Sequence, residues 1–155
     1  MNTEVMFSSK EEKWATPQEF FDMLNKEFSF NLDPCATPEN AKCKKYFTEA
    51  EDGLKQDWGG YCVFCNPPYC RKTGAWVEKA YNEAKKPGTT VVCLLPSRTD
   101  TKWFHEFIVG KGEIRFVKGR LKFGDSKNSA PFGSMLVIWG ERAQEGAVRS
   151  ERRTR

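Results

Sequence analysis

Histidine is almost absent from this chain, long apolar runs are missing altogether, and the excess of positive charge is small. With His105 as the single histidine, a zinc centre built on Cys62, Cys65 and Cys70 finds no clear fourth ligand, so no metal is expected. His105 itself stands in the aromatic stretch Trp103-Phe104-His105-Glu106-Phe107, where an exposed or hydrogen-bonded place is expected and no chemical role is assigned. No apolar run approaches the roughly 20 residues of a membrane span, which argues against a membrane partner. The opening residues MNTEVMFSSKEEK lack the apolar stretch of a secretion signal, so a soluble, cytoplasmic protein with reduced thiols is expected despite its six cysteines.

The net charge is +4, and half of it comes from residues 141–155, where five arginines face three glutamates. This composition permits a partner with a phosphate backbone without demanding one. At 155 residues, 39% of them hydrophobic, the chain is long enough to bury one core and too short for a second large domain. Residues 1–140 are therefore taken as one domain and residues 141–155 as a flexible, arginine-rich tail.

Hydrophobic spacing predicts the elements. Thr16 is placed to cap a helix with Pro17 at its first position and Glu19 reaching back, and Phe20, Phe21, Leu24 and Phe28 recur at helical spacing. Phe28 to Leu32 alternates as a strand that Asp33-Pro34 stops, Thr37-Pro38-Glu39-Asn40 resembles a capped helix start, and Lys45 to Thr48 reads as a short strand. Tyr61 to Cys65 is apolar throughout, as in a central strand covered on both faces. A helix around Trp76 to Ala84 then leads to a second apolar strand, Thr89 to Leu95, which makes a βαβ unit. A helix around Trp103 to Ile108 follows, and then strands at Glu113 to Val117, Arg120 to Phe123 and Ser134 to Trp139. Such alternation predicts an α/β fold: an open, mostly parallel sheet with helices on both faces and an antiparallel C-terminal part. Ligands of such sheets bind beyond the carboxyl ends of the strands.

Asn66-Pro67-Pro68-Tyr69 stands at one of those ends. Two prolines stiffen the loop and remove two N–H donors, so carbonyl oxygens and the Asn66 amide oxygen form a preorganised set of acceptors. An exocyclic amine donates two hydrogens, and accepting both holds the nitrogen for attack on an electrophile. Tyr69 offers a face for a planar base. A loop of this kind also serves simply to end a strand; its place behind a buried strand favours chemistry.

From about Trp14 to Trp139 the chain resembles the phage-type DNA adenine-N6 methyltransferases, the small Dam-like enzymes of bacteriophages and prophages. The resemblance is carried by Trp14-Ala15-Thr16-Pro17, Leu32-Asp33-Pro34-Cys35-Ala36, Asp52-Gly53-Leu54 with Asp57-Trp58, Phe64 to Tyr69, Leu94-Leu95-Pro96 and Gly119 to Phe123. It implies a Rossmann-like fold, S-adenosylmethionine as cofactor and double-stranded DNA as partner, with no obligate protein partner. It further implies that Thr16 and Pro17 lie near the methionine part of the cofactor, that Asp33, Pro34 and Cys35 form the first cofactor loop, and that Asp57 approaches the cofactor adenine. Asn66, Pro67, Pro68 and Tyr69 would be catalytic and bind a flipped adenine. Related enzymes often carry glycine in the first loop, whereas Asp33 to Thr37 has none. Glu49 and Glu51 are both candidates for the cofactor ribose.

Arg71 and Lys72, Arg98 and Lys102, and Arg120 and Lys122 are candidates for DNA phosphates, although Gly119 to Phe123 also reads as a hairpin with solvent-facing cations. Two rivals to the DNA adenine reading are a methyltransferase of RNA or of a protein glutamine, and a non-catalytic nucleic-acid-binding module on the same fold.

Overall fold

The computed structural model describes residues 14–124 and 126–154. The opening residues used above to argue against a secretion signal lie outside that range. Helix α1, Gln18–Phe28, buries Phe20, Phe21, Leu24 and Phe28 along one stripe and closes on Ser29, whose left-handed φ of 56° lets its N–H reach the Asn25 carbonyl. The expected Thr16 cap is corrected. Pro17 holds the cap position and no side chain bonds there, because the buried Thr16 hydroxyl is turned to Asn66 instead.

The strand expected from Phe28 to Leu32 is reduced to isolated bridges, Leu32 parallel to Val63 and Asp33 parallel to Tyr46. Thr37 and Asn40 do exchange the reciprocal bonds of a helix start, at 2.8 and 3.2 Å. No helix follows, because the chain is drawn back to Asp33: Lys42 N–H donates to its carboxylate and Asp33 N–H to the Lys45 carbonyl. The strand expected at Lys45 to Thr48 is likewise a single bridge.

Next come a 3₁₀ turn at Gly53–Lys55, strand β1 at Cys62–Cys65, helix α2 at Thr73–Glu83, strand β2 at Thr90–Pro96 and helix α3 at Lys102–Phe107. Strands β3 at Glu113–Val117, β4 at Ser134–Gly140 and β5 at Val148–Glu151 complete the sheet. Its order is β1-β2-β4-β3-β5. The pairs β1–β2 and β3–β5 are parallel, whereas β2–β4 and β3–β4 are antiparallel. The sheet is therefore mixed, not mostly parallel, and β1 stands at its edge, not its centre.

Helices cover both faces. One face of the sheet sets Phe64, Val92, Leu94 and Ile138 against the α1 stripe, and the other sets Val63, Val91, Cys93 and Val137 against Trp76, Val77 and Ala80 of α2 and Phe104 of α3. Each buried large side chain contributes roughly 1.5–3 kcal/mol. Period-2 alternation thus divides the strand residues between two layers.

Two C-terminal expectations are corrected. Arg120 to Phe123 is not a strand, although Leu121 and Phe123 are buried in alternation, because both edges of β3 are already taken by β4 and β5. The segment after Gly140, expected as a loose tail, carries β5, with Ile114 N–H bonded to the Ala147 carbonyl and Lys118 N–H to the Glu151 carbonyl. Arg115, 4% exposed, sits behind this seam with its guanidinium on Glu27 of α1, Glu113 of β3 and Glu151 of β5 at 2.7–3.1 Å. Among the described residues no helix is long and apolar enough to cross a membrane.

Candidate active site

The carboxyl end of β1 and the bridged residues Leu32 and Asp33 beside it open on a cavity of about 710 Å³. That size is in the range of roughly 300–1,000 Å³ usual for small-molecule sites. Asn66, Pro67, Pro68 and Tyr69 all line it, and so do Thr16, Asp33, Pro34 and Cys35. Segments far apart in sequence are thus brought to one space.

Asn66 has a defined orientation. Its Nδ2 donates to the Trp14 carbonyl at 2.7 Å and to Thr16 Oγ1 at 3.0 Å, which occupies both of its protons. Its Oδ1 is shielded from solvent and accepts nothing among the described residues. A shielded acceptor without a donor costs about 1–3 kcal/mol, recovered when a ligand brings one. The Pro68 carbonyl is taken by Thr73 Oγ1 at 2.6 Å, which ties the loop to the first turn of α2. The loop is held from both sides.

The Tyr69 hydroxyl donates to the Leu94 carbonyl at 3.0 Å, just where β2 outruns its pairing with β1. Its ring meets Phe123 and Phe132 edge-on, at 6.1 and 5.5 Å between centroids. Burial pushes the phenol well above its ordinary pKa, so it stays protonated.

Asp33 is 4% exposed and accepts from Lys42 N–H at 3.0 Å and Cys35 N–H at 3.4 Å. Burial outweighs these bonds and raises its pKa from 3.8 to about 6. The backbone at Pro34 is packed tightly from below, since a Cβ on Gly53 would lie 2.0 Å from the Pro34 carbonyl oxygen. Only glycine fits that contact. Trp58, fully buried, holds the Gly53 carbonyl through its indole N–H at 3.0 Å, while Glu83 accepts the Trp58 backbone N–H.

Two of the expected cofactor residues are not brought to the cavity. Pro17 does not line it, and Asp57 points to solvent, 77% exposed, with its carboxylate on Lys86 Nζ at 2.8 Å and on Gly59 N–H. The Asp57 placement is corrected for that reason. The cavity does include Glu49, Asp52 and Trp76, of which only Glu49 is a sequence-based candidate for the cofactor. Glu51 instead caps the turn at Thr48. Asp52 could have been suspected from the glycine that follows it: it adopts φ 56° and accepts the Leu54 N–H to start the 3₁₀ turn.

Of the six cations proposed for phosphates, Lys72 lines the cavity. Arg71, Arg98, Lys102, Arg120 and Lys122 are exposed outside it. Lys102 pairs with Glu106 at 3.6 Å, and Arg120 donates to the Ala130 carbonyl at 3.2 Å, a loop-fastening contact.

The model of the family described as DNA N-6-adenine-methyltransferase (Dam) matches residues 4–154, which takes in the C-terminal segment with β5. The chain is 31% identical over 150 residues to a DNA N-6-adenine-methyltransferase of Haemophilus phage HP1 (strain HP1c1), covering 92% of this chain and 86% of that protein. It is 32% identical over 131 residues to a DNA N-6-adenine-methyltransferase of Escherichia phage T1, covering 83% of this chain and 54% of that protein. The acceptor loop, the buried acid and the cavity between them are therefore those of a member of the Dam family of DNA N-6-adenine-methyltransferases, to which this chain belongs.

Proposed function

We propose that the chain methylates the exocyclic N6 of adenine in double-stranded DNA, with S-adenosylmethionine as donor, on a Rossmann-like methyltransferase fold. The observation that carries the site assignment is the shielded Asn66 Oδ1, a fixed acceptor with no donor of its own. Cavity size and acidity fit the cofactor: Asp33, Glu49 and Asp52 line one space, where acceptors suit its ammonium and ribose hydroxyl groups. When bound, that cofactor supplies an electrophilic methyl group.

The protein supplies orientation. Asn66 Oδ1 accepts one hydrogen of the target amine, and the second is assigned to the Pro67 carbonyl because Thr73 already occupies that of Pro68. Holding both hydrogens leaves the nitrogen electron pair free on the remaining side. An adenine inside the duplex cannot reach this loop, so the base leaves the stack and lies on Tyr69, whose ring is braced by Phe123 and Phe132. Lys72 at the cavity rim suits the phosphate of the extruded nucleotide. No covalent enzyme intermediate is needed, and the proton released by N6 passes to solvent after transfer. A phage-type enzyme of this kind would act on DNA in the host cytoplasm, a reading that the phage origin of the relatives supports.

Asn66→Ala tests the assignment with labelled S-adenosylmethionine and DNA, RNA or protein substrates. Loss of a preorganised acceptor lowers turnover on the order of 10²- to 10³-fold. Wild-type turnover by the folded variant refutes the role of Asn66. Stronger transfer to RNA or protein than to DNA refutes the substrate.

A further inference from the structure

The Asn66 amide has two possible settings that differ by a half-turn, and only one of them leaves an oxygen for a substrate amine. Its setting is dictated from outside the loop. The Trp14 carbonyl and Thr16 Oγ1 take the two Nδ2 protons, and a half-turn would set Oδ1 against the Trp14 carbonyl, acceptor facing acceptor. Thr16 is 5% exposed, and its neighbours are fixed from behind. Gly124 N–H donates to the Ala15 carbonyl at 2.8 Å, and the Trp14 ring packs on Phe123 at 5.4 Å and Phe132 at 5.0 Å. The same two rings brace Tyr69. The N-terminal segment and the β3–β4 connection thus hold both halves of the proposed base site.

We infer that Thr16, together with the main chain of Trp14, is a positioning residue for methyl transfer, a clamp that keeps Asn66 Oδ1 free to accept the target amine. The inference rests on the assignment of Asn66 to that amine. It differs from a cofactor role for Thr16, because the clamp acts on the rate of transfer and leaves cofactor affinity alone.

The test compares Thr16→Val, which keeps the shape and removes the acceptor, with Thr16→Ser, which restores it, in single-turnover and steady-state assays on DNA. Thr16→Val is expected to lower kcat about tenfold, the rate equivalent of one neutral hydrogen bond, with KM for S-adenosylmethionine changed less than about twofold. Thr16→Ser recovers most of the loss. In an Asn66→Ala background, Thr16→Val adds nothing further, as expected of two groups acting through one contact.

Wild-type kcat in Thr16→Val beside an impaired Asn66→Ala overturns the clamp and leaves the site reading intact, whereas full turnover by Asn66→Ala removes the reading beneath it. A loss confined to cofactor KM, or one equal in Thr16→Ser, assigns Thr16 to the cofactor or to packing and overturns the clamp. Should Thr16→Val fail to fold, the side-chain amide of Asn66 in ¹⁵N-labelled wild-type protein decides. Slow exchange of both protons supports the clamp, and solvent-fast exchange of either overturns it.

Discussion

In the proposed base site Tyr69 joins two requirements in one side chain, a ring for the base and a hydroxyl tied to the Leu94 carbonyl at 3.0 Å. A ring-only role would leave Tyr69→Phe unchanged, but the structure alters that expectation. Tyr69→Phe should cost about 0.5–1.5 kcal/mol of stability through the lost bond while keeping most of the turnover. Tyr69→Ala should lose a further base contact of about 1–3 kcal/mol, read as weaker DNA binding and a smaller signal from a fluorescent adenine analogue at the target position. Equal turnover in the two variants would remove the stacking role. Asp33 yields a pH prediction. Its folded pKa of about 6 lies above the ordinary 3.8, so the folded protein favours the neutral acid. The stability it contributes is fully present below about pH 4 and is lost as pH rises through about 6, by on the order of 3 kcal/mol. Urea unfolding of wild type and Asp33→Asn should show wild type losing ground to the variant between pH 4 and 6, with a constant difference above. A constant difference throughout would mean that Asp33 is not shifted. On the proposed contact between Asp33 and the cofactor ammonium, calorimetry should show cofactor affinity rising with pH across the same window, because an ionised acid is the stronger acceptor.

At the scale of elements, the C-terminal segment shows how a polar stretch becomes part of a sheet. Val148, Arg149 and Ser150 are exposed, so no apolar pattern marks them as a strand. β5 is held instead by its backbone ladder on β3 and by Arg115, whose guanidinium joins α1, β3 and β5. Its bonds to Glu27 and then Glu113 raise the Arg115 pKa further, and the guanidinium holds the Glu27 carboxyl below its usual range. Arg115→Ala leaves Glu113, 2% exposed, without its closest cation. Removal of one partner from a buried pair typically costs about 3–5 kcal/mol. Chemical unfolding should show that loss, and a larger effect than Glu27→Gln, since Glu27 is 44% exposed and screened by water. A cost under about 1 kcal/mol would make the network incidental.

For the whole molecule, the distribution of charge matters more than the net +4. Lys72 stands at the cavity, whereas Lys85 lies over the Tyr81 ring, 4.3 Å from its centroid, beside a separate shallow pocket. If DNA is drawn over the cavity, Lys72→Ala should reduce the slope of log affinity against log salt by about one unit and Lys85→Ala should leave it unchanged. Fluorescence anisotropy with a duplex at several salt concentrations measures both. Equal slopes for wild type and Lys72→Ala would move the DNA path elsewhere.

The sequence by itself determined the apolar stripe of α1, the buried strands β1 and β2, and the strand-end position of Asn66 to Tyr69, because these follow from periodicity and from the rigidity of two prolines. The resemblance of their flanking motifs also grouped Asp33 and Thr16, and both line one cavity. Tertiary structure decided what depends on partners distant in the chain. A parallel or antiparallel neighbour leaves no mark on a strand's own residues, so the mixed sheet, the edge position of β1 and the incorporation of β5 were not legible. The alternation at Leu121 and Phe123 produced no strand, because β3 had no edge left to offer. Asp57 shared a motif with Trp58, yet only Trp58 turns inward, and Lys86, 29 residues away, holds the acid at the surface. The orientation of Asn66 was likewise settled by residues 50 and 52 positions earlier in the chain, because an amide's direction is a property of the groups around it.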